Sequence, residues 1–497
     1  MRWLLAAIGV FGGSTMASCR SVTYAAEAPR LDDVMDPTKD VKPMNCVVVG
    51  GGYAGGKLAY QFDSIFSTTL IDSKNYEEIT ADIIPILTTP WCEKNDEACR
   101  KLHVLHRYYL KRANVLTAKA TAVKDDCVVL EDGRTIPYDV LMVTTGEEKS
   151  FPFTTTQKTI SGRVAELKAF NQFLSTTKKI AIVGGGPMGV SLAARFAEDR
   201  PEIDVHLFHA QDSLLPALPD VASQYANNSF VDKIYVSVHL CSNIVDLKSN
   251  AVPVQQTFLD KLLRRPAVET VGDKFSVFVE RLQYHPVAPQ SVLSQAYFGR
   301  RKQAQTSDVI SSKWLSDFDY VFNVGGDTPR PISYKPECIL AKHLTPDGHY
   351  RVSSLMQLFG LPHVFASGRC TNLPGARTLG SSDLESRTIF RMLNGIINSN
   401  QEKTLRSSDG IRVDRLEVPR LLLQLGSMDA CGSTPWSGAL TGLSALREFI
   451  QDRGHFQREF SFPVFYKQQD PQRVRSRIDQ WKSVEMTDIT DFSHGNA

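Results

Sequence analysis

The sequence predicts an α/β protein with two Rossmann-like dinucleotide-binding domains and a further C-terminal region. Three observations carry this prediction. Two glycine turns of identical spacing each follow a short apolar strand and open a helical pattern, and a later apolar strand in "HVFASG" again runs into a glycine.

The first turn lies in "NCVVVGGGYAGGKLAYQF". Cys46 to Val49 read as a buried strand, and Gly50, Gly52 and Gly55 form GxGxxG. One glycine makes the tight turn, one lets the backbone approach a pyrophosphate, and one lets helix and strand pack closely. Tyr53 and Ala54 fall in the first helical turn, whose N–H groups and positive dipole end suit phosphate. The next strand, "STTLIDS", ends at Asp72, 22 residues after Gly50, where an acid reaches a ribose hydroxyl.

The second turn repeats the pattern in "KKIAIVGGGPMGVSLAARFAE". Gly184, Gly186 and Gly189 follow a strand over Ile180–Val183, with Pro187 and Met188 between the last two glycines. The strand "IDVHLFH" ends at His209 rather than at an acid. The usual bias against a 2′-phosphate is therefore missing, and no nearby arginine supplies the opposite bias. NADH and NADPH both remain open.

Between the turns, Asp132-Gly133 marks a hairpin and a buried strand runs into Thr144-Thr145-Gly146. After the second turn, a strand ends at Gly325-Gly326. Further on, "HVFASGRC" carries a strand into Gly368 and Arg369, followed by the helical run "LESRTIFRMLNGIIN". The predicted division is targeting segment and linker 1–44, first domain 45–170 and 331–405, second domain 171–330, and C-terminal region 406–497.

Composition narrows the function classes. The chain has 497 residues, too many for one core, and its 42% hydrophobic and 22% charged residues suit a folded protein. A net charge of +2, without zinc-finger spacing or a basic arm, excludes a nucleic-acid partner. No metal-ligand constellation stands out. Nine cysteines are scattered, and the pair Cys92/Cys99 matches no redox spacing, so both read as bystander thiols. The N-terminus has Arg2, an apolar run and no acid before Glu27, which fits a mitochondrial presequence, with a secretory signal as the alternative. The sequon at Asn227-Asn228-Ser229 matters only in the secretory case.

Taken in order, dinucleotide turn, Thr-Thr-Gly strand end, second turn, glycine strand end and FASG strand resemble the two-dinucleotide flavoprotein family over about residues 45–400. That family includes pyridine-nucleotide disulfide reductases, type II NADH dehydrogenases and apoptosis-inducing-factor relatives, with a glutathione-reductase-like fold. His209 and the segment "LQLGSMDACG" are similar to the ferroptosis-suppressor (AMID-like) branch. The resemblance implies FAD on the first domain and NAD(P)H on the second. By motif, Gly50, Gly52, Gly55 and Asp72 would hold the ADP half of FAD, and Thr145 and Gly146 would line it. Gly184, Gly186 and Gly189 would hold the nicotinamide dinucleotide. Tyr53, Ala54, Pro187, Met188, His209, Gly326, Gly368 and Arg369 complete the candidate cofactor-binding set, and no catalytic residue is assigned.

The implied activity is hydride transfer from NAD(P)H to flavin, with electrons passed to a quinone or other small acceptor. The flavin-side CxxxxC or CxxC pair of disulfide reductases is absent from the sequence.

Two departures oppose full activity. Arg369 replaces the family aspartate that accepts from the ribityl chain. Losing such an acceptor costs about 1.5–3 kcal/mol, roughly ten- to a hundredfold in FAD affinity. Its guanidinium would either grip the pyrophosphate or face solvent. Ser191 replaces a glutamate near the nicotinamide–flavin contact, and a serine cannot shuttle protons as a carboxylate does. Arg377 stands either near the flavin or on a surface loop. The alternative function is therefore a catalytically weakened dinucleotide-binding interaction or sensor protein.

Two stretches of the second domain, "SNAVPVQQTFLDKLLRRPAVETVGDK" and "QYHPVAPQSVLSQAYFGRRKQAQTSD", read as insertions, the latter with a basic cluster at Arg300–Lys302. Val474, Ile478 and Trp481 lie among basic residues. They offer either a peripheral membrane contact or a helix packed on the body.

Overall fold

The computed structural model describes residues 43–249, 274–284, 307–326, 328–373, 378–398, 421–434, 437–461 and 470–482. The N-terminal targeting segment, most of both insertions with Arg300–Lys302, and Arg377 lie outside the described residues.

The first region opens with β1 (Asn45–Val49), helix α1 (Tyr53–Phe62) and β2 (Ser67–Asp72). A side excursion follows through β3 (Tyr76–Glu78), α2 (Ile84–Thr88), α3 (Glu93–Leu102), β4 (His103–Leu105) and α4 (His106–Tyr109). Then come β5 (Asn114–Thr117), β6 (Ala120–Val123), β7 (Cys127–Leu130), β8 (Thr135–Pro137) and β9 (Val140–Val143). The β7–β8 hairpin turns at Gly133, whose φ is +85°. Helix α5 (Ile160–Leu174) leads to the second region.

That region holds β10 (Lys179–Val183), α6 (Pro187–Asp199), β11 (Asp204–Phe208), α7 (Asp220–Asn228) and β12 (Val236–His239). An antiparallel meander follows, β13 (Ser242–Ser249), β14 (Phe275–Tyr284) and β15 (Ser307–Phe318), before β16 (Tyr320–Asn323). The described ends of the two insertions belong to this meander. The chain returns through β17 (Gln357–Leu358), β18 (Leu361–Ala366) and α8 (Leu379–Asn398). It closes with β19 (Leu421–Gln424), β20 (Ala430–Thr434), β21 (Gly438–Thr441), α9 (Gly442–Ser461) and α10 (Pro471–Lys482).

The first sheet has the order β17-β18-β9-β1-β2-β5, and all its pairs are parallel except β17–β18. The second runs β12-β11-β10-β16, parallel throughout. Both central strands are continuous apolar runs, as strands covered on both faces must be. Cys46 to Val49 and Val140 to Val143 are buried, as are Ile180 to Ile182. Each such valine or isoleucine contributes about 1.5–3 kcal/mol by burial.

The closing elements complete both cores. Leu423, Leu425 and Cys431 join the cluster formed by α6 and α7, while Val474, Ile478 and Trp481 join the one under α1 and α8. Trp481 stacks on Phe365 with ring centroids 6.1 Å apart. Of the two readings of α10, these contacts support the helix packed on the body. Among the described residues, no helix is long and apolar enough to cross a membrane.

Candidate functional site

The strands fix where each glycine turn stands. β1 ends beside β2 and β9 in register, Val49 opposite Ile71 and Val143, so the turn after Val49 lies at the carboxyl edge of the sheet. Gly50 has φ +102°, and a Cβ there would stand 2.4 Å from Thr144 O. A Cβ on Gly55 would fall 1.8 Å from Gly50 O. Gly52 faces open space. It caps α1 without a side chain, and Gly56 N–H donates to its carbonyl, so the first-turn N–H groups have no intrahelical acceptor. An open, uncapped, positively polarised turn fits a pyrophosphate.

Asp72 follows at the end of β2, and its Oδ2 would meet a Cβ on Gly51 at 2.4 Å. His106 Nε2 stands 3.1 Å from that oxygen, while His106 Nδ1 stands 2.9 Å from the Tyr109 hydroxyl. The network assigns the imidazole as donor to the carboxylate and acceptor from the phenol. Burial pushes the Tyr109 phenol well up, so it stays a neutral donor. Among the described residues, Asp72 Oδ1 takes 3.4 Å contacts from Ser73 Oγ and Lys74 N, and it keeps capacity for a ribose hydroxyl.

The second turn makes the same demands. Gly184 has φ +115° and packs on Gly325, and a Cβ on Gly189 would fall 1.8 Å from Gly184 O. Gly186 faces open space and Pro187 opens α6, where its missing N–H costs nothing. Met188 packs at the rim of the core. His209 sits on the middle glycine, and its Nδ1 accepts from Gly185 N–H at 3.1 Å. Gly326, with φ +71°, lies just beyond β16. Residues 44–263 match the family model described as pyridine nucleotide-disulphide oxidoreductase.

That match spans both glycine turns.

Relatives agree. The chain is 22% identical over 389 residues to apoptosis-inducing factor homolog B of Dictyostelium discoideum, covering 77% of this chain and 87% of that one. It is 26% identical over 176 residues to human ferroptosis suppressor protein 1, covering 34% and 45%. Among solved structures, the sulfide:quinone oxidoreductase of Aquifex aeolicus aligns with a TM-score of 0.54 at 14% identity, covering 84% of this chain and 91% of that one, a likeness of fold.

Against the family pattern, the two departures take definite positions. Arg369 pairs its Nη1 with Glu147 Oε1, and its side chain is 39% exposed. The physical reason is proximity: β18 and β9 are adjacent, and their ends bring residue 369 beside the segment after Thr145-Gly146. Lys149 Nζ stands 3.2 Å from the same carboxylate oxygen. Gly368, with φ +81°, donates its N–H to Glu385 of α8 at 2.6 Å. Ser191 donates to Gln424 O of β19 at 3.0 Å, so the C-terminal sheet occupies its hydroxyl.

The structure also reveals residues that the motifs did not name. Lys57, two residues after Gly55, is buried and paired with Asp383 of α8. Asp383 further takes Tyr53 Oη at 3.1 Å and Arg387 at 2.8 Å. In the side excursion, fully buried Arg163 of α5 holds Glu78 and Glu166 (2.8 and 2.7 Å), and His103 reaches Glu78 at 2.6 Å. Burial would raise the Glu78 carboxyl, but hydrogen bonds and charge from His103 and Arg163 prevail and hold it at about 2. The eight cysteines among the described residues are free thiols, Cys92 exposed and Cys99 buried.

Proposed function

We propose that the protein is an FAD-dependent NAD(P)H oxidoreductase that delivers electrons to a small acceptor of the quinone class, without a redox-active disulfide. The observation that carries this reading is the pair of open, uncapped glycine turns in one chain, the first with a ribose-binding acid and the second without one. The match of residues 44–263 to the pyridine nucleotide-disulphide oxidoreductase family model supports NAD(P)H, and a quinone-named fold neighbour supports the acceptor class.

In this reading FAD supplies hydride acceptance and electron release. The chain's own residues bind and orient. The α1 turn with Asp72 takes the adenosine diphosphate half of FAD, and Thr145 and Gly146 line its continuation. The α6 turn takes the pyrophosphate of NAD(P)H. Neutral His209, holding Gly185 N–H, leaves the ribose end without a negative charge, so a 2′-phosphate meets no repulsion there. The proposal includes a mitochondrial location, supported by the acid-free, Arg-bearing N-terminus before Glu27.

The visible spectrum of the purified protein tests the reading. Near-stoichiometric flavin bands that bleach on adding NADH or NADPH are expected. A colourless protein that takes up no added FAD would overturn it. The rival reading, a dinucleotide-binding interaction protein, draws on Ser191, which brings no charge to its position. It predicts bound flavin that neither nicotinamide bleaches.

A further inference from the structure

The strand order of the first sheet gives a bound dinucleotide its direction. β2 ends at Asp72, its neighbour β1 ends in the glycine turn, and β9 and β18 follow on the other side. Neighbouring strands are spaced by about 4.8 Å. A ribose at Asp72 and a pyrophosphate at the turn therefore put the second half of the molecule over the ends of β9 and β18. Those ends carry Thr145, Gly146 and Glu147 on one side and Gly368 and Arg369 on the other. Thr144 locks this segment to the turn, its hydroxyl donating to Gly50 O at 2.8 Å.

One buried polar atom in this segment, Glu147 Oε2, has no hydrogen-bond partner among the described residues. The Glu147 side chain is only 8% exposed. Its Oε1 is held by Arg369 and Lys149, which fixes the carboxylate and leaves Oε2 without a donor among the described residues. A buried carboxylate oxygen in that state is costly and calls for a donor. A pyrophosphate offers none, whereas the ribityl chain of a flavin offers hydroxyls.

We propose that Glu147 accepts a ribityl hydroxyl of FAD and that Arg369 is a positioning residue that holds its carboxylate in place. The inference rests on the reading that the first turn binds FAD. It recasts Arg369: the acid that the arginine displaced is supplied from the neighbouring strand end.

The test uses the full chain. The FAD dissociation constant is read from quenching of flavin fluorescence, and ADP is measured as a competitor against FAD. Glu147→Gln keeps the shape and removes the charge. It should weaken FAD roughly ten- to a hundredfold and leave the ADP constant unchanged, which also reports an intact turn. Arg369→Ala should weaken FAD about tenfold, and Arg369→Lys should recover most of that loss, since a cation still reaches Glu147. FAD bound equally tightly by Glu147→Gln overturns the proposal, as does an equal loss of FAD and ADP. If the unaltered chain takes up no FAD, this inference falls together with the functional reading. If it takes up FAD and only the variants fail to discriminate, this inference alone falls.

Discussion

In the first glycine turn a Cβ on Gly55 would stand 1.8 Å from Gly50 O, and in the second a Cβ on Gly189 would stand 1.8 Å from Gly184 O. In each, the residue at the end of the next strand rests on the middle glycine: Asp72 on Gly51, His209 on Gly185. The backbones repeat because any dinucleotide imposes the same close approach. The side chains two residues after the third glycine do not repeat. Lys57 is tied to Asp383, in the helix that returns to its own domain, whereas Ser191 is tied to a backbone carbonyl of the C-terminal sheet. The comparison separates what a ligand requires from what each domain's neighbours require.

Four experiments would break or sharpen it. The largest effect is expected from Gly55→Ala and its counterpart Gly189→Ala, each driving a methyl into backbone at a cost of more than about 3 kcal/mol. Gly55→Ala should lose FAD uptake. Gly189→Ala should keep flavin and lose NAD(P)H binding, read by spectrum and by titration. Identical losses in the two variants would deny the turns separate roles.

Lys57→Met should cost about 3–5 kcal/mol in urea unfolding, because Asp383 is left largely buried with only part of its compensation. The matched change in the second turn, Ser191→Ala, comes last in this order. It removes one hydrogen bond and should cost only about 1 kcal/mol.

Between these lies a pH effect on the seam joining the regions. Glu78 is held at about 2 in the folded state against an ordinary 4.5. A depressed carboxyl stabilises fully above about pH 4.5 and loses that contribution as pH falls towards 2. Roughly 3 kcal/mol should disappear over that window. Thermal unfolding from pH 7 to pH 3 should show the decline, and Glu78→Gln should flatten it.

Much of this was legible in the sequence for a physical reason. A glycine that needs φ near +100°, or whose Cβ would stand 1.8 Å from a carbonyl oxygen, admits no substitute, so Gly50, Gly55, Gly184 and Gly189 stand out at fixed spacing. Continuous apolar runs announce parallel strands for the same kind of reason. The partners of Arg369 could not be read, because Glu147 is 222 positions away along the chain. Only the adjacency of β9 and β18 brings the two together. His106 and Asp383 were invisible on the same grounds. A lysine on the inward side of α1 was the one available signal, since a buried ammonium needs an acid somewhere. Two readings of α10 stayed open because three apolar positions define a sticky face without saying what covers it.

The closing elements have a consequence for biosynthesis. Both dinucleotide turns leave the ribosome long before residues 421–482, yet Leu423, Leu425 and Cys431 finish one core and Val474, Ile478 and Trp481 the other. A nascent chain that has reached only Asn398 therefore exposes unfilled apolar surface in both halves at once. That surface is covered in the first half only when α10 emerges and Trp481 settles against Phe365.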